Sequence, residues 1–268
     1  MSAIEQANRF TRPSRTGGET ARLVIYLVLS LAVLAWAFSG LEVSRERVLR
    51  GLPQMASLFK EMFFPPDWSY TPKVLTGLRE SLQIAALGTA IAAVLALPFG
   101  ALAARNLIPL RGVPFVGKTL LNMIRTFPEL VLALVFIKAL GPGPFAGVLA
   151  VGFHSIGMIG KLYAERIETV DKNALEALAA AGASPLEVFR YGVVPEVLPD
   201  FLSFALYRFD LNVRAATVLG LVGAGGIGTL IQFQINNDWP KVGTILVGII
   251  ITVGLVDFIS AKFRSRLA

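Results

Sequence analysis

The sequence predicts an all-α integral membrane protein with about six transmembrane helices. Three observations carry that prediction. Only 16% of the 268 residues are charged, against 54% hydrophobic, whereas a soluble chain carries about 25% charged residues. Several apolar runs approach the roughly 17–25 residues that a helix needs to cross a bilayer. The net charge of +7 collects at the ends of those runs, as the positive-inside bias requires. No basic face interleaves with aromatic residues, which argues against nucleic-acid binding. The chain has no cysteine and a single histidine, His154, so it offers neither disulfides nor a histidine cluster for a transition metal.

The first apolar run, Leu23 to Phe38, follows a basic tail, and no persuasive cleavage site follows it. It therefore reads as a retained span rather than a signal peptide. Residues 1–21 form an N-terminal tail, 22–40 the first span, 41–79 a segment on the opposite side, and 80–268 the main membrane domain. Within 41–79, Leu52, Met55, Leu58, Phe59, Met62 and Phe63 recur at helical spacing. They predict an amphipathic helix from near Pro53 to Pro65-Pro66, with Trp68 and Tyr70 suited to an interface.

The second span runs from Leu82 to Ala104, and its Gly88, Ala92 and Ala96 place small residues four apart for close helix packing. The third, Phe127 to Leu140, carries Glu129 and Lys138 near its ends. Gly141-Pro142-Gly143-Pro144 is a turn signal that separates it from the fourth, Phe145 to Ile159. Phe201 to Val222 is the fifth, and Val242 to Ser260 the sixth, interrupted by Asp257. With six spans and a cytoplasmic N-terminus, fifteen Lys and Arg fall on the cytoplasmic side against seven opposite. Arg105, Arg111, Lys118 and Arg125 form one cytoplasmic group in that count, and both termini lie inside.

Two glycine motifs invite a nucleotide reading and fail it. Gly112-Val113-Pro114-Phe115-Val116-Gly117-Lys118-Thr119 matches GxxxxGK[ST]. That loop must follow a buried strand, whereas here an apolar helix precedes it and Pro114 removes one amide. Gly223-Ala224-Gly225-Gly226-Ile227-Gly228 contains GxGxxG, without the βαβ surroundings or the acidic residue about 20 positions on. These glycines are expected to end a membrane helix at its extracytoplasmic side, a position for a gate.

The longest cytoplasmic segment is 161–199. Asp171 can cap a helix through Glu176, Ala177, Leu178 and Ala181, which Gly182 stops in a left-handed turn. Ser184, Pro185 and Glu187 then open a second helix with a capping box. Pro195 and Pro199 are expected to end that helix and return the chain to the membrane.

Glu176-Ala177-Leu178, three residues, Gly182, and then Val194-Pro195 resemble the EAA loop of ABC importer permeases. The pattern there is EAA, three residues, Gly, nine residues, Ile-x-Leu-Pro. Leu178 stands for the third Ala, Gly192 for Ile and Val194 for Leu. Arg125-Thr126-Phe127-Pro128-Glu129-Leu130, Gly160 to Glu165 and Arg208 to Gly220 are similar to permeases of the phosphonate-uptake branch, which also carry reduced phosphorus oxyanions such as phosphite. The resemblance implies the type I ABC importer permease (MetI-like) fold and a bacterial inner-membrane location. It implies that Glu176, Ala177, Leu178, Gly182, Ala183, Ser184, Pro185 and Pro195 couple to a separate ATPase dimer, which binds the ATP and magnesium. It further implies an extracytoplasmic binding protein and a second permease copy or paralogue. This chain itself would hold no cofactor and catalyse no reaction.

Arg208, Asp210 and Arg214 interrupt the fifth apolar run. A lone charge at a helix centre costs about 2.5–3.5 kcal/mol on insertion scales, so each is expected to have a partner. Asp210 and Arg214 are i,i+4 neighbours and can pair, which leaves Arg208 as a residual positive charge beside Asn212. These residues either line the pathway of an anion or form a structural cluster that holds the fifth helix. Glu129 suits the dipole at its helix N-terminus or a gate contact, as do Gly223, Gly225, Gly226 and Gly228. His154 suits a polar contact between helices. An intramembrane enzyme would need facing acid–base groups that one histidine and few carboxylates supply poorly. A secondary transporter would show inverted repeats and broken helices, and none is apparent in the sequence.

Overall fold

The computed structural model describes residues 17–40, 44–107 and 112–267. The tail to residue 16, with Arg9, Arg12 and Arg15, lies outside the described residues, as does Arg111. All regular structure among the described residues is helical. The chain divides into two compact units, Met1–Ser57 and Leu58–Ala268.

In the first unit, α1 (Gly17–Ser39) is an apolar helix long enough to cross a membrane. Helix α2 (Arg45–Phe63) runs through the unit boundary and begins eight residues before Pro53, which lies inside it. Ser44 accepts a bond from the Arg47 amide at 3.4 Å and Glu46 pairs with Arg50, so the first turn is held ahead of the proline. Val48, Leu52, Met55 and Phe59 form its exposed apolar face.

The second unit opens with a 3₁₀ turn, Trp68–Tyr70, and α3 (Thr71–Ala103). Helix α3 starts eleven residues before Leu82, because Asp67 accepts the Ser69 amide at 3.0 Å and Pro72 occupies the first turn. It is followed by α4 (Gly112–Thr126), α5 (Glu129–Leu140), α6 (Pro144–Glu168), α7 (Lys172–Ala180) and the single turn α8 (Pro185–Glu187). A π-helical stretch, Val188–Val193, leads into α9 (Val194–Leu219), and α10 (Ile227–Gln234) and α11 (Trp239–Leu267) end the chain.

Among the described residues, four helices are long and apolar enough to cross a membrane, namely α1, α11, α6, and α3 with its preceding turn. Counting each of two bent pairs as one span brings the number to six: α4 with α5, bent by 81°, and Pro185–Val222 with α10, bent by 41°. The residues around Lys118 and Arg125, expected as a loop, instead form helix α4, which is bent sharply from α5. Its apolar residues face a neighbour: Leu121 is buried against Gly160 of α6, where a Cβ would lie 2.7 Å from the leucine. The GxxxxGK[ST] residues form this helix, and Lys118 pairs with Glu168 at 2.8 Å.

The small-residue face of α3 is an internal seam. A Cβ on Gly88 would lie 3.1 Å from the Val148 carbonyl of α6, and one on Gly100 2.8 Å from Tyr163. Ala92 and Ala96 are fully buried between them. Close backbones of this kind are how helices associate where lipid supplies no hydrophobic drive. Tyr163 and Phe201 stack at 3.8 Å between α6 and α9.

Candidate functional site

The first candidate is the connection between α6 and α9. Helix α6 extends to Glu168 and α9 starts at Val194, so the free connection is shorter than 161–199. The Asp171 side chain caps α7 by accepting the Asn173 amide at 2.9 Å. Gly182 follows with φ +91°, a left-handed conformation that costs glycine nothing. Ser184 and Glu187 form the expected capping box, the Ser184 amide donating to Glu187 at 2.7 Å. Those bonds from the Ser184 hydroxyl and amide hold the Glu187 carboxyl below the usual range.

Pro195 and Pro199 do not end a helix. Pro195 sits in the first turn of α9 and Pro199 inside it, and the π-helical stretch carries α8 into α9 without a break. The Val194 amide bonds to the Phe189 carbonyl, five residues back. A wider turn of this kind absorbs the amide that a proline lacks.

Gly192 is where α7 folds back. A Cβ there would lie 2.7 Å from Leu175 Cδ2 and 2.9 Å from Leu178 Cδ1. Two departures from the EAA pattern therefore offset each other: the side chain missing at Gly192 is replaced by the larger Leu178. Gly192→Ile is expected to overpack this contact by about 1–3 kcal/mol and to lower transport. Adding Leu178→Ala should recover part of the loss in an uptake assay, and Leu175→Ala with it the rest, since both leucines meet the new side chain; no recovery in the triple variant would show that this contact does not govern transport.

The base of the connection is braced by residues that spacing did not reveal. Arg166 near the end of α6 pairs with Asp200 and, at 3.3 Å, with Glu196, both on the first turns of α9. Glu176, Ala177 and Pro185 are exposed, as are Leu186 at 74% and Tyr191 at 64%.

The second candidate is a buried polar chain across α3, α5, α6 and α9. Arg208, 5% exposed, pairs with Glu129, so it is not the residual charge that the sequence suggested. Its Nε donates to Ser155 Oγ at 2.8 Å and its Nη1 to Met158 Sδ at 3.3 Å. Asn212, fully buried, donates from Nδ2 to Ser155 Oγ at 3.0 Å and to Thr89 Oγ1 at 2.8 Å. Each hydroxyl sends its own proton to a carbonyl of its helix, Ser155 to Val151 and Thr89 to Ala85, both at 2.6 Å. Every bond therefore has a donor and an acceptor. His154 Nδ1 lies 3.0 Å from the Phe127 carbonyl, which can only accept, so Nδ1 carries a proton and Nε2 faces Glu129 at 3.5 Å.

Arg214 pairs mainly with Asp257 of α11, at 2.5 Å, and stands 3.6 Å from Asp210. The helix-neighbour pair is thus secondary to a contact 43 residues away. Asp210 is buried, and its Oδ1 has no hydrogen-bond partner among the described residues.

The glycine run forms a corner between α9 and α10. Gly223, Gly225 and Gly226 have φ of +94°, +81° and +80°. Gly143 donates to the Gly223 carbonyl at 2.9 Å, and the Ile227 amide donates to Ser81 Oγ at 2.9 Å. The corner thus locks against the α5–α6 turn and lies at the level of Ser81, ten residues into α3. Gly228 packs on Gly220 across it.

Comparison with known proteins agrees with this architecture. The family described as binding-protein-dependent transport system inner membrane component matches residues 96–265. The putative phosphite transport system permease protein HtxC of Stutzerimonas stutzeri is 41% identical over 89% of this chain and 84% of its own length. The phosphite transport system permease protein PtxC of the same organism is 41% identical over 90% of this chain and 88% of its own. Among solved structures, one of the inward-facing MetNI methionine ABC transporter superposes with a TM-score of 0.67 at 21% identity, covering 75% of this chain and 99% of that one.

Proposed function

The chain belongs to the family of binding-protein-dependent transport system inner membrane components, and from that membership we propose that it carries phosphite or a related phosphorus oxyanion into the cell. The family is one of transport permease subunits, and the fold is that of an ABC importer permease. The related substrates are phosphonate, hypophosphite and phosphate esters. The likeness to two phosphite permeases over about nine-tenths of the chain supports this class. A permease of the same importer class for another small solute is the alternative.

The observation that carries the coupling role is the capped connection from Thr169 to Val193, braced by Arg166 on the ends of two membrane helices. Such a unit moves with α6 and α9 rather than apart from them. Its exposed Leu186 and Tyr191 offer apolar surface to a partner. Glu176, Ala177, Leu178, Gly182, Ala183, Ser184, Pro185 and Pro195 transmit the closure of an ATPase dimer, and that partner binds ATP and magnesium. This face is cytoplasmic, as are both termini. The permease works with a second copy or a paralogue, receives substrate from an extracytoplasmic binding protein, and catalyses no reaction itself.

Within the membrane, Glu129, Arg208, Asn212, Asp210 and Arg214 hold α9 to its neighbours, and the Gly223–Gly228 corner lets α10 hinge at the outer gate. The paired state of Arg208 and Arg214 supports the holding role over direct substrate contact. The test is reconstitution in liposomes with the ATPase and binding protein. Phosphite uptake that requires ATP is expected; uptake driven by an ion gradient without ATP would turn the reading toward a secondary transporter.

A further inference from the structure

We propose that α2 lies along the bilayer surface on the face where α1 ends and α3 begins, its apolar side in lipid and its cations on anionic phospholipid. The transport reading above does not use this helix, and the proposal is independent of which solute is carried.

Connectivity confines α2 to that face. Helix α1 is long enough to cross a membrane and ends at Ser39, and the next such helix starts at Trp68. Helix α2 has 19 residues, about 28 Å at 1.5 Å per residue. Its C-terminal end is pinned within the second unit: a Cβ on Gly243, near the start of α11, would overlap the Met62 carbonyl. Just beyond it, the Asp67 amide donates to the Pro240 carbonyl at 3.3 Å, and Thr244 Oγ1 donates to the Asp67 carbonyl at 2.9 Å. At the other end, the link from Ser39 to Arg45 reaches about 21 Å when fully extended. That is shorter than the helix. An upright α2 would carry Arg45 out of reach of α1, so the helix runs along the membrane face instead.

Only one side of α2 suits lipid. At 3.6 residues per turn, Val48, Leu52, Met55 and Phe59 fall together, with Leu49 and Leu58 toward the edges of an arc of about half the circumference. Val48, Leu52, Met55 and Phe59 are 52–59% exposed, whereas Met62, at the pinned end of the same side, is buried. Arg47 and Lys60 stand at the two borders of that arc. Neither makes an ion pair among the described residues, where the pair within this helix is Arg50 with Glu46. Long basic side chains at such borders lay their stems on apolar surface and hold their charges among lipid headgroups. Four basic residues against two acidic ones give α2 a net charge of +2, which favours anionic lipid. Trp68, exposed just past the pinned end, is a residue type that collects at the same level of a membrane.

The chain has no cysteine, so single cysteines can carry a spin label in the complete transporter, with reactive cysteines of its partners replaced. The vesicles contain anionic phospholipid. Leu52→Cys and Phe59→Cys lie on the apolar side and Gln54→Cys and Ser57→Cys on the polar side, all at exposed positions. Collisions with oxygen, which concentrates in lipid, should dominate on the apolar side. Collisions with a nickel chelate, which stays in water, should dominate on the polar side, so that the ratio differs by at least about fivefold. Equal nickel access on both sides would place α2 in water. Protection of Leu52→Cys and Phe59→Cys from both reagents would show a protein partner there, a second copy or a binding protein. Either result overturns the proposal, and the two cysteines on each side give the reading even where one of them impairs assembly. Adding Arg47→Gln and Lys60→Gln to Leu52→Cys is expected to raise its nickel access by about twofold or more, and vesicles without anionic lipid should do the same to Leu52→Cys alone. No change in either case would overturn the assignment to anionic lipid.

Discussion

Replacing Gly182 with valine is expected to abolish most ATP-driven uptake while the permease still reaches the membrane in normal amount. The reason is backbone conformation alone. Gly182 has φ +91°, and no atom lies within 4 Å of the position its Cβ would take. A β-branched residue forced into that region costs about 1–3 kcal/mol. Helix α7 has nine residues and α8 a single turn before the π-helical stretch, so the connection has little core with which to resist. It therefore relaxes out of its docking form. Each 1.4 kcal/mol removes about a factor of ten from the population able to engage a partner. Gly182→Asn is the control, because asparagine tolerates the left-handed region, and it should retain much of the uptake. Normal uptake by Gly182→Val at equal abundance would remove the connection from the coupling route.

Local grammar made this connection legible, and distance hid the rest. Asp171, Gly182, Ser184 and Glu187 act within three residues of their partners, so their types and spacing suffice to place them. The π-helical stretch was not legible, because six residues cannot separate a period of 3.6 from a wider one. The prolines that suggested an ending instead sit where amides are not needed. The third span was split by its own polar residues: Arg125 and Lys118 looked like loop residues until α4 was seen to lie along α6. For charge pairs, the i,i+4 rule identified Asp210 with Arg214, but the stronger bond runs to Asp257. Glu129 and Arg208 are 79 positions apart, and only the packing of α5 on α9 brings them together. Gly192 departs from the EAA pattern, and its compensation was not legible because Leu178 lies on another helix.

Glu129→Ala should destabilise the assembled permease by about 3–5 kcal/mol, the usual cost of leaving one partner of a buried ion pair alone. The larger share of that loss belongs to Arg208, whose side chain is 6% exposed against 22% for Glu129. Arg208 would keep its bond to Ser155 but lose the only ion pair it makes among the described residues. Replacing both residues with apolar ones of similar size, Glu129→Leu with Arg208→Met, removes the stranded charge. That double variant should unfold at a temperature near the wild type, since buried pairs and apolar substitutes are often nearly equivalent in stability. Thermal unfolding of the four proteins in detergent gives the coupling energy, expected at several kcal/mol; additivity within about 0.5 kcal/mol would show two independent residues. Uptake by the double variant then separates two roles that stability alone merges. If the pair only holds α9 to α5, the stable double variant still transports. If the pair also faces the path of the substrate, the double variant folds and assembles but carries little phosphite.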